Sequence, residues 1–254
     1  MRYRREIDGL RAVAIIPVIL FHAGFKLFSG GFVGVDVFFV ISGYLITGII
    51  LRELDEKSFS IISFYERRAR RILPALFFVI ACCIPLAWLW MTPTQLKNFS
   101  QSIAAVSLFS SNILFWQEDG YFAAAADLKP LLHTWSLAVE EQYYLLFPLL
   151  LLGSRRFGRR AGFWMTASAA VLSFLAGQWL LKHDQSGAFY LATGRAWEIF
   201  AGSLCAFIAR DRGTAPSDPF SLAGMGLILF AIFAFDDRTP FPGLTALAPV
   251  VGTS

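Results

Sequence analysis

Arg11 and His22 stand eleven residues apart in an otherwise apolar run. Eleven residues make about three helical turns, so on a helix both project from one face within ~20°, with His22 ~16 Å further along the axis. An imidazole takes up and releases a proton near neutral pH, and an arginine on the same face can hold an anionic group. A histidine by itself in a helix is usually a packing residue. One aligned with an arginine is a candidate general base or acyl carrier.

The run from Leu131 to Tyr144 offers a second set. His133 and Glu140 are seven apart, two helical turns, and so share a face. Glu141 points about 100° away from Glu140, which gives the two carboxylates different partners. Ionisable groups inside a lipid-spanning helix cost at least a few kcal/mol and by default mark function. The plain alternative is an ion pair that only braces helices. Arg195 and Glu198, three apart, fit that alternative best, because they can pair within one helix. Asp36 is either a cap or a site residue, and Gly34 and Gly43 nearby permit close helix approach.

A basic loop, Phe64 to Pro74, carries Arg67, Arg68, Arg70 and Arg71. Orientation in the membrane and contact with anionic lipid account for such a cluster. Arginine is also the side chain suited to bidentate phosphate recognition, so a phosphate-bearing cytoplasmic donor would dock here.

The elements that must position these groups are helices in a membrane. The 254 residues are 56% hydrophobic and 16% charged, where soluble domains average nearer a quarter charged. Ile72 to Met91 and Gly162 to Leu181 carry no charge, and each is long enough to cross ~30 Å of hydrocarbon. Apolar segments run roughly 10–28, 33–51, 72–91, 99–117, 134–152, 162–181, 188–209 and 220–236, and another begins near Leu244. The spacing predicts an all-α, polytopic transmembrane bundle with about seven to eight spans. Segment 99–117 is rich in Ser, Asn and Gln. If it does not cross, 15 basic residues fall inside and 5 outside; if it crosses, the split is 12 against 8. The positive-inside rule therefore predicts a cytoplasmic N-terminus, with 99–117 lying on or dipping into the outer face.

The inner set comprises Arg2, Arg4, Arg5, Arg52, Lys57, the four arginines of the basic loop, Arg155, Arg156, Arg159, Arg160, Arg210 and Arg212. The net charge of +4 is confined to such loops, which excludes a nucleic-acid partner. Cys82, Cys83 and Cys205 form no disulfide framework and no metal site, and read as small packing residues. Arg2, Arg4 and Arg5 precede an apolar stretch as in a signal peptide, but no small-x-small cleavage site follows, so the stretch reads as an uncleaved first span.

Together these pieces resemble the acyltransferase 3 family of membrane acyltransferases. The matching residues are Asp8-Gly9-Leu10 with Arg11 and His22, Gly34-Val35-Asp36 through Ser42-Gly43, and the Arg67-to-Pro74 basic motif. His133-Thr134-Trp135-Ser136-Leu137 with Glu140 and Glu141, and Arg195-Ala196-Trp197-Glu198, match as well. The resemblance covers essentially the whole chain, 1–254. It implies transfer of an acyl group, commonly acetyl from cytoplasmic acetyl-CoA, to a hydroxyl of an extracytoplasmic glycan such as O-antigen, peptidoglycan or exopolysaccharide. It further implies a multi-pass protein of the bacterial inner membrane in contact with lipid. His22 and Arg11 match the family's essential first-span pair. The facing positions of His133 and Glu140 suggest, from the residues themselves, an accessory role at the outer end of the same cavity. Arg67, Arg68, Arg70 and Arg71 match the family's donor-side basic motif, and no metal is implied.

Family members have about ten spans, so the chain is expected to be incomplete at its C-terminus and lacks the SGNH-hydrolase-like domain that some members carry. Two rival readings follow from the same residues. Intramembrane Arg, His and Glu also serve proton-coupled transporters and flippases, although no pair of broken helices in symmetric halves is visible. The other rival is an inactive fragment.

Overall fold

The computed structural model describes residues 5–119, 128–158, 160–212, 218–236 and 238–254. Arg2, Arg4 and Arg159, counted above as inner charges, lie outside the described residues, as does the side chain of Arg212. The described residues form helices and turns only. In chain order the helices are α1 (Arg5–His22), α2 (Gly34–Asp55), α3 (Ile61–Trp90), α4 (Pro93–Ser107), α5 (Ser111–Gln117) and α6 (Thr134–Ser154). They continue with α7 (Ala161–His183), α8 (Gln185–Tyr190), α9 (Ala192–Arg212), α10 (Asp218–Ala234) and α11 (Leu247–Thr253).

Among the described residues, three helical stretches are long and apolar enough to cross a membrane: Gly31–Asp55, Ile61–Trp90 and Ala161–His183. Burial separates them. The apolar window of the first is 61% buried, against 17% for each of the other two, so α2 is central and α3 and α7 are peripheral. Their free faces carry Phe77, Phe78, Trp88 and Trp90 on α3, and Trp164, Leu172 and Trp179 on α7. Tryptophans near helix ends suit the bilayer interface. Cys82 is exposed on α3 and so is not the packing residue expected.

Several boundaries differ from the apolar runs. α1 ends at His22, short of residue 28, because Gly24 turns the chain at φ +80. The basic stretch expected as a loop is helical and belongs to the first turns of α3, which starts at Ile61 behind a Ser60 cap accepting from the Ser63 amide. Charge hid this start, since an apolar run begins only where the arginines stop. Segment 99–117 breaks into α4 and α5 at residues 108–110, and neither piece is long enough to cross. Segment 188–209 begins with the short α8 and bends at Leu191 before α9.

α2 and α9 run parallel and in close contact. Asp36 meets Arg195 near their starts, and Asp55 meets Arg210 at 2.6 Å near their ends. A Cβ on Gly43 would overlap the Ile199 carbonyl, and one on Gly202 would overlap the Val40 carbonyl. The two backbones approach through reciprocal glycines, as small residues permit in membrane helices. Gly34 does the same against the Ala14 carbonyl of α1.

Candidate active site

α1 and α6 present matched polar faces. His22 acts electrostatically on His133 at one end, and Arg11 acts on Glu140 deeper in the bundle. The two helices therefore run in opposite directions. His22 is exposed, and its Nδ1 lies 2.8 Å from the Val18 carbonyl. A carbonyl oxygen only accepts, so Nδ1 carries the hydrogen and the neutral ring keeps Nε2 as a free base. His133 precedes the first turn of α6. Although it keeps solvent contact, the packing around its ring and then the neighbouring His22 lower its pKa from the ordinary 6.5. Both effects disfavour imidazolium.

Glu140, expected with His133 at the outer end, instead lies two turns further along α6, among Ser42, Tyr144 and the charges of Arg11 and Arg71. Ser42 of α2 donates to its Oε1 at 2.9 Å, and Tyr144, one turn on, donates to its Oε2 at 3.1 Å. Arg11 from α1 and Arg71 from α3 both face its charge. Four helices thus contribute to one carboxylate. The Arg11 guanidinium is held loosely by Asp8 at 3.8 Å, and its buried Nε has no hydrogen-bond partner. It retains donor capacity for an anion.

The four arginines of α3 divide by face. Arg67 donates to both carboxylate oxygens of Glu53 at 2.8 and 2.9 Å, and Arg70 pairs with Glu66 at 2.6 Å on the exposed side. Arg68 and Arg71 turn toward α6, where Arg68 faces Glu141 and Tyr144. Arg68, Glu141, Tyr144, Phe109 and Ile72 line a cavity of about 280 Å³ between α3, α6 and the corner joining α4 to α5. Arg68 Nε and Glu141 Oε1 are buried there without hydrogen-bond partners. Gln142 secures the corner, donating to Asn112 Oδ1 at 2.9 Å and to the Phe109 carbonyl at 3.0 Å.

Arg195 and Glu198 pair at 3.3 Å as their spacing predicts, but a third member joins them: Asp36, 3.4 Å from Arg195. Sequence reasoning also missed Ser42 and Tyr144. Tyr144 carried a signal, since it stands four residues after Glu140. Ser42 is 98 residues from Glu140, and no local pattern links them.

Helices with exposed apolar faces around buried arginine and carboxylate groups define a helical membrane protein with a built polar interior. The model of the acyltransferase domain family matches residues 4–249, and the chain belongs to that family. The peptidoglycan O-acetyltransferase OatA of Listeria monocytogenes is 34% identical over 252 residues, covering 91% of this chain and 39% of that protein. The O-acetyltransferase OatA of Staphylococcus aureus is 40% identical over 151 residues, covering 59% of this chain and 25% of that protein. The chain thus spans well under half the length of these relatives. No solved structure matches it significantly.

Proposed function

We propose that this chain forms the membrane part of an O-acetyltransferase. It would move an acetyl group from cytoplasmic acetyl-CoA to a hydroxyl of an extracytoplasmic glycan in the bacterial plasma membrane. The observation that carries the reading is the convergence on α6, where Ser42 and Tyr144 hold Glu140, the charges of Arg11 and Arg71 act on it, and His22 acts on His133. Family membership supports acyl transfer, and the peptidoglycan named for the Listeria relative supports a glycan acceptor. Anionic and apolar lipids would contact α3 and α7.

The topology belongs to the same reading: seven to eight spans with the N-terminus inside. The parallel packing of α2 and α9 supports one part of it, that 99–117 does not cross. With α3, α6 and α7 as three crossings between them, α2 and α9 point the same way through the membrane; a fourth crossing at 99–117 would oppose them.

In the proposed reaction, Arg71, Arg68 and Arg11 hold the donor's phosphates at the inner end, with Arg67 and Arg70 at its rim. His22 Nε2 takes the proton of the acceptor hydroxyl as its oxygen attacks the thioester carbonyl. The C–S bond breaks, an ester C–O bond forms, and the proton passes to the departing thiolate of CoA. A relay in which His22 itself carries the acetyl group uses the same free nitrogen. His133, held neutral, assists at the outer end.

The test is acetyl transfer by purified protein in vesicles, with acetyl-labelled acetyl-CoA on the inner side and muropeptides outside. No proton gradient is applied, which separates an acyltransferase from a proton-coupled transporter. Labelled muropeptide is expected from the wild type and none from His22→Ala. Full transfer by a normally inserted His22→Ala protein would remove His22 from the mechanism.

A further inference from the structure

Arg195 is the largest fully buried side chain among the described residues. Its guanidinium lies 5.3 to 5.8 Å from the ring centres of Phe39, Trp135, Phe189 and Phe241. Its charge is met by Asp36 at 3.4 Å and Glu198 at 3.3 Å, both 0% exposed. Two carboxylates against one guanidinium leave one negative charge in excess, inside a cage of aromatic rings. A buried charge without compensation neutralises by taking a proton.

The hydrogen bonding points the same way. None of the four carboxyl oxygens of Asp36 and Glu198 has a hydrogen-bond partner as an ionised acceptor. Yet the two carboxyls lie within hydrogen-bonding reach of each other. Two carboxylates have no donor between them, whereas a carboxylic acid beside a carboxylate has one. Such pairs titrate as a unit, with one proton between them.

The triad also touches the start of α6. Trp135 stands two residues after His133, and its ring packs on Phe189 at 4.7 Å, on Tyr190 at 5.8 Å and over the Arg195 guanidinium. On the α5 side, Thr134 donates to Ser111 Oγ at 3.1 Å, while Ser111 donates to the Thr134 carbonyl at 3.0 Å. The backbone that carries His133 is therefore pinned from two directions.

We infer that Asp36 and Glu198 share one proton, forming with Arg195 a neutral triad that positions the outer start of α6 and His133 with it. The residues of the triad are positioning residues, acting through Trp135. The positioning half rests on the proposed role of His133; the shared proton does not.

Infrared difference spectra of the purified protein at neutral pH test the proton. Asp36→Asn and Glu198→Gln are each expected to fold and to lose the C=O stretch of a protonated carboxylic acid, because the remaining partner then stays ionised against Arg195. Loss of a carboxylate stretch alone, in whichever variant folds, would overturn the shared proton. For positioning, Trp135→Leu is expected to lower kcat for acetyl transfer by about tenfold or more through misplacement. Donor KM and the acid band should stay unchanged, and Trp135→Phe should restore most of the rate. An unchanged kcat in Trp135→Leu would overturn the positioning. A wild-type protein that shows the acid band but transfers no acetyl group would sink the proposed activity and leave the shared proton standing.

Discussion

Ser42 donates a hydrogen bond to Glu140 at 2.9 Å, joining α2 to α6 at the carboxylate that Arg11 and Arg71 also face. Two side chains hold this carboxylate and two cations face it, so the variants should rank. Ser42→Ala leaves Tyr144 in place and removes one hydrogen bond, a cost of about 0.5–1.5 kcal/mol, or roughly two- to tenfold in rate. Glu140→Gln keeps the shape but takes the negative charge away from two arginines, and should cost more. Initial rates of acetyl transfer, normalised to inserted protein, give the order. Equal losses would deny Glu140 its central place.

The division of the α3 arginines predicts unequal roles in donor binding. Arg70 is tied to Glu66 in an exposed pair one turn away, a contact worth only about 0.3–0.5 kcal/mol, so Arg70→Gln should shift donor KM little. Arg71→Gln removes a cation facing Glu140 and should raise donor KM and lower kcat together. Glu53→Gln should act in the opposite sense, since it frees the Arg67 fork now occupied by a carboxylate. Donor KM measured over a range of salt separates these. If Arg70→Gln and Arg71→Gln behave alike, the division by face has no functional meaning.

Helical periodicity made the α1 and α6 faces legible, because Arg11, His22, His133 and Glu140 are related by whole turns within their own helices. It also made Arg195 with Glu198 legible, at three residues' spacing. What it could not carry were contacts between helices. Asp36 reaches Arg195 where glycines let α2 approach α9 closely, and Ser42 reaches Glu140 across the contact of α2 with α6. The break in 99–117 was hidden for a different reason. Phe109 takes φ +51, a left-handed conformation that phenylalanine rarely announces. The polar side chains of that segment did signal that it is not an ordinary span, and Asn112, which accepts from Gln142 of α6, accounts for part of that polarity.

His133 sets a pH dependence. Its packing and His22 lower its pKa in the folded protein below the 6.5 of a free side chain. The unfolded chain therefore binds the proton more readily, so folded stability falls as pH drops below about 6.5 and is recovered above it. His133→Gln should flatten the dependence, and His22→Gln should weaken it by removing one of the two causes. Thermal denaturation in one detergent at about pH 7.5 and pH 5.5 measures this. A wild-type and a His133→Gln protein losing equal stability on acidification would show that the ring titrates as it does in the unfolded chain.

The contact between α2 and α9 predicts glycine substitutions of opposite sign. At Gly43 an added Cβ meets the Ile199 carbonyl and the Ser203 amide, and at Gly202 it meets the Val40 carbonyl and the Tyr44 amide. These obstacles are backbone atoms of a packed helix and have no rotamer to escape into. Overpacking of this kind costs about 1–3 kcal/mol, and here it would also strain the Asp36 contact with Arg195 in the same interface. Gly226 of α10 has nothing within 4 Å of an added Cβ. There the substitution should follow helix propensity alone and stabilise by about 0.5–1 kcal/mol. Gly43→Ala and Gly202→Ala should therefore lower the melting temperature in detergent while Gly226→Ala raises it. Shifts of the same sign at all three positions would mean that α2 and α9 do not approach through these glycines, and that the buried triad between them has some other support.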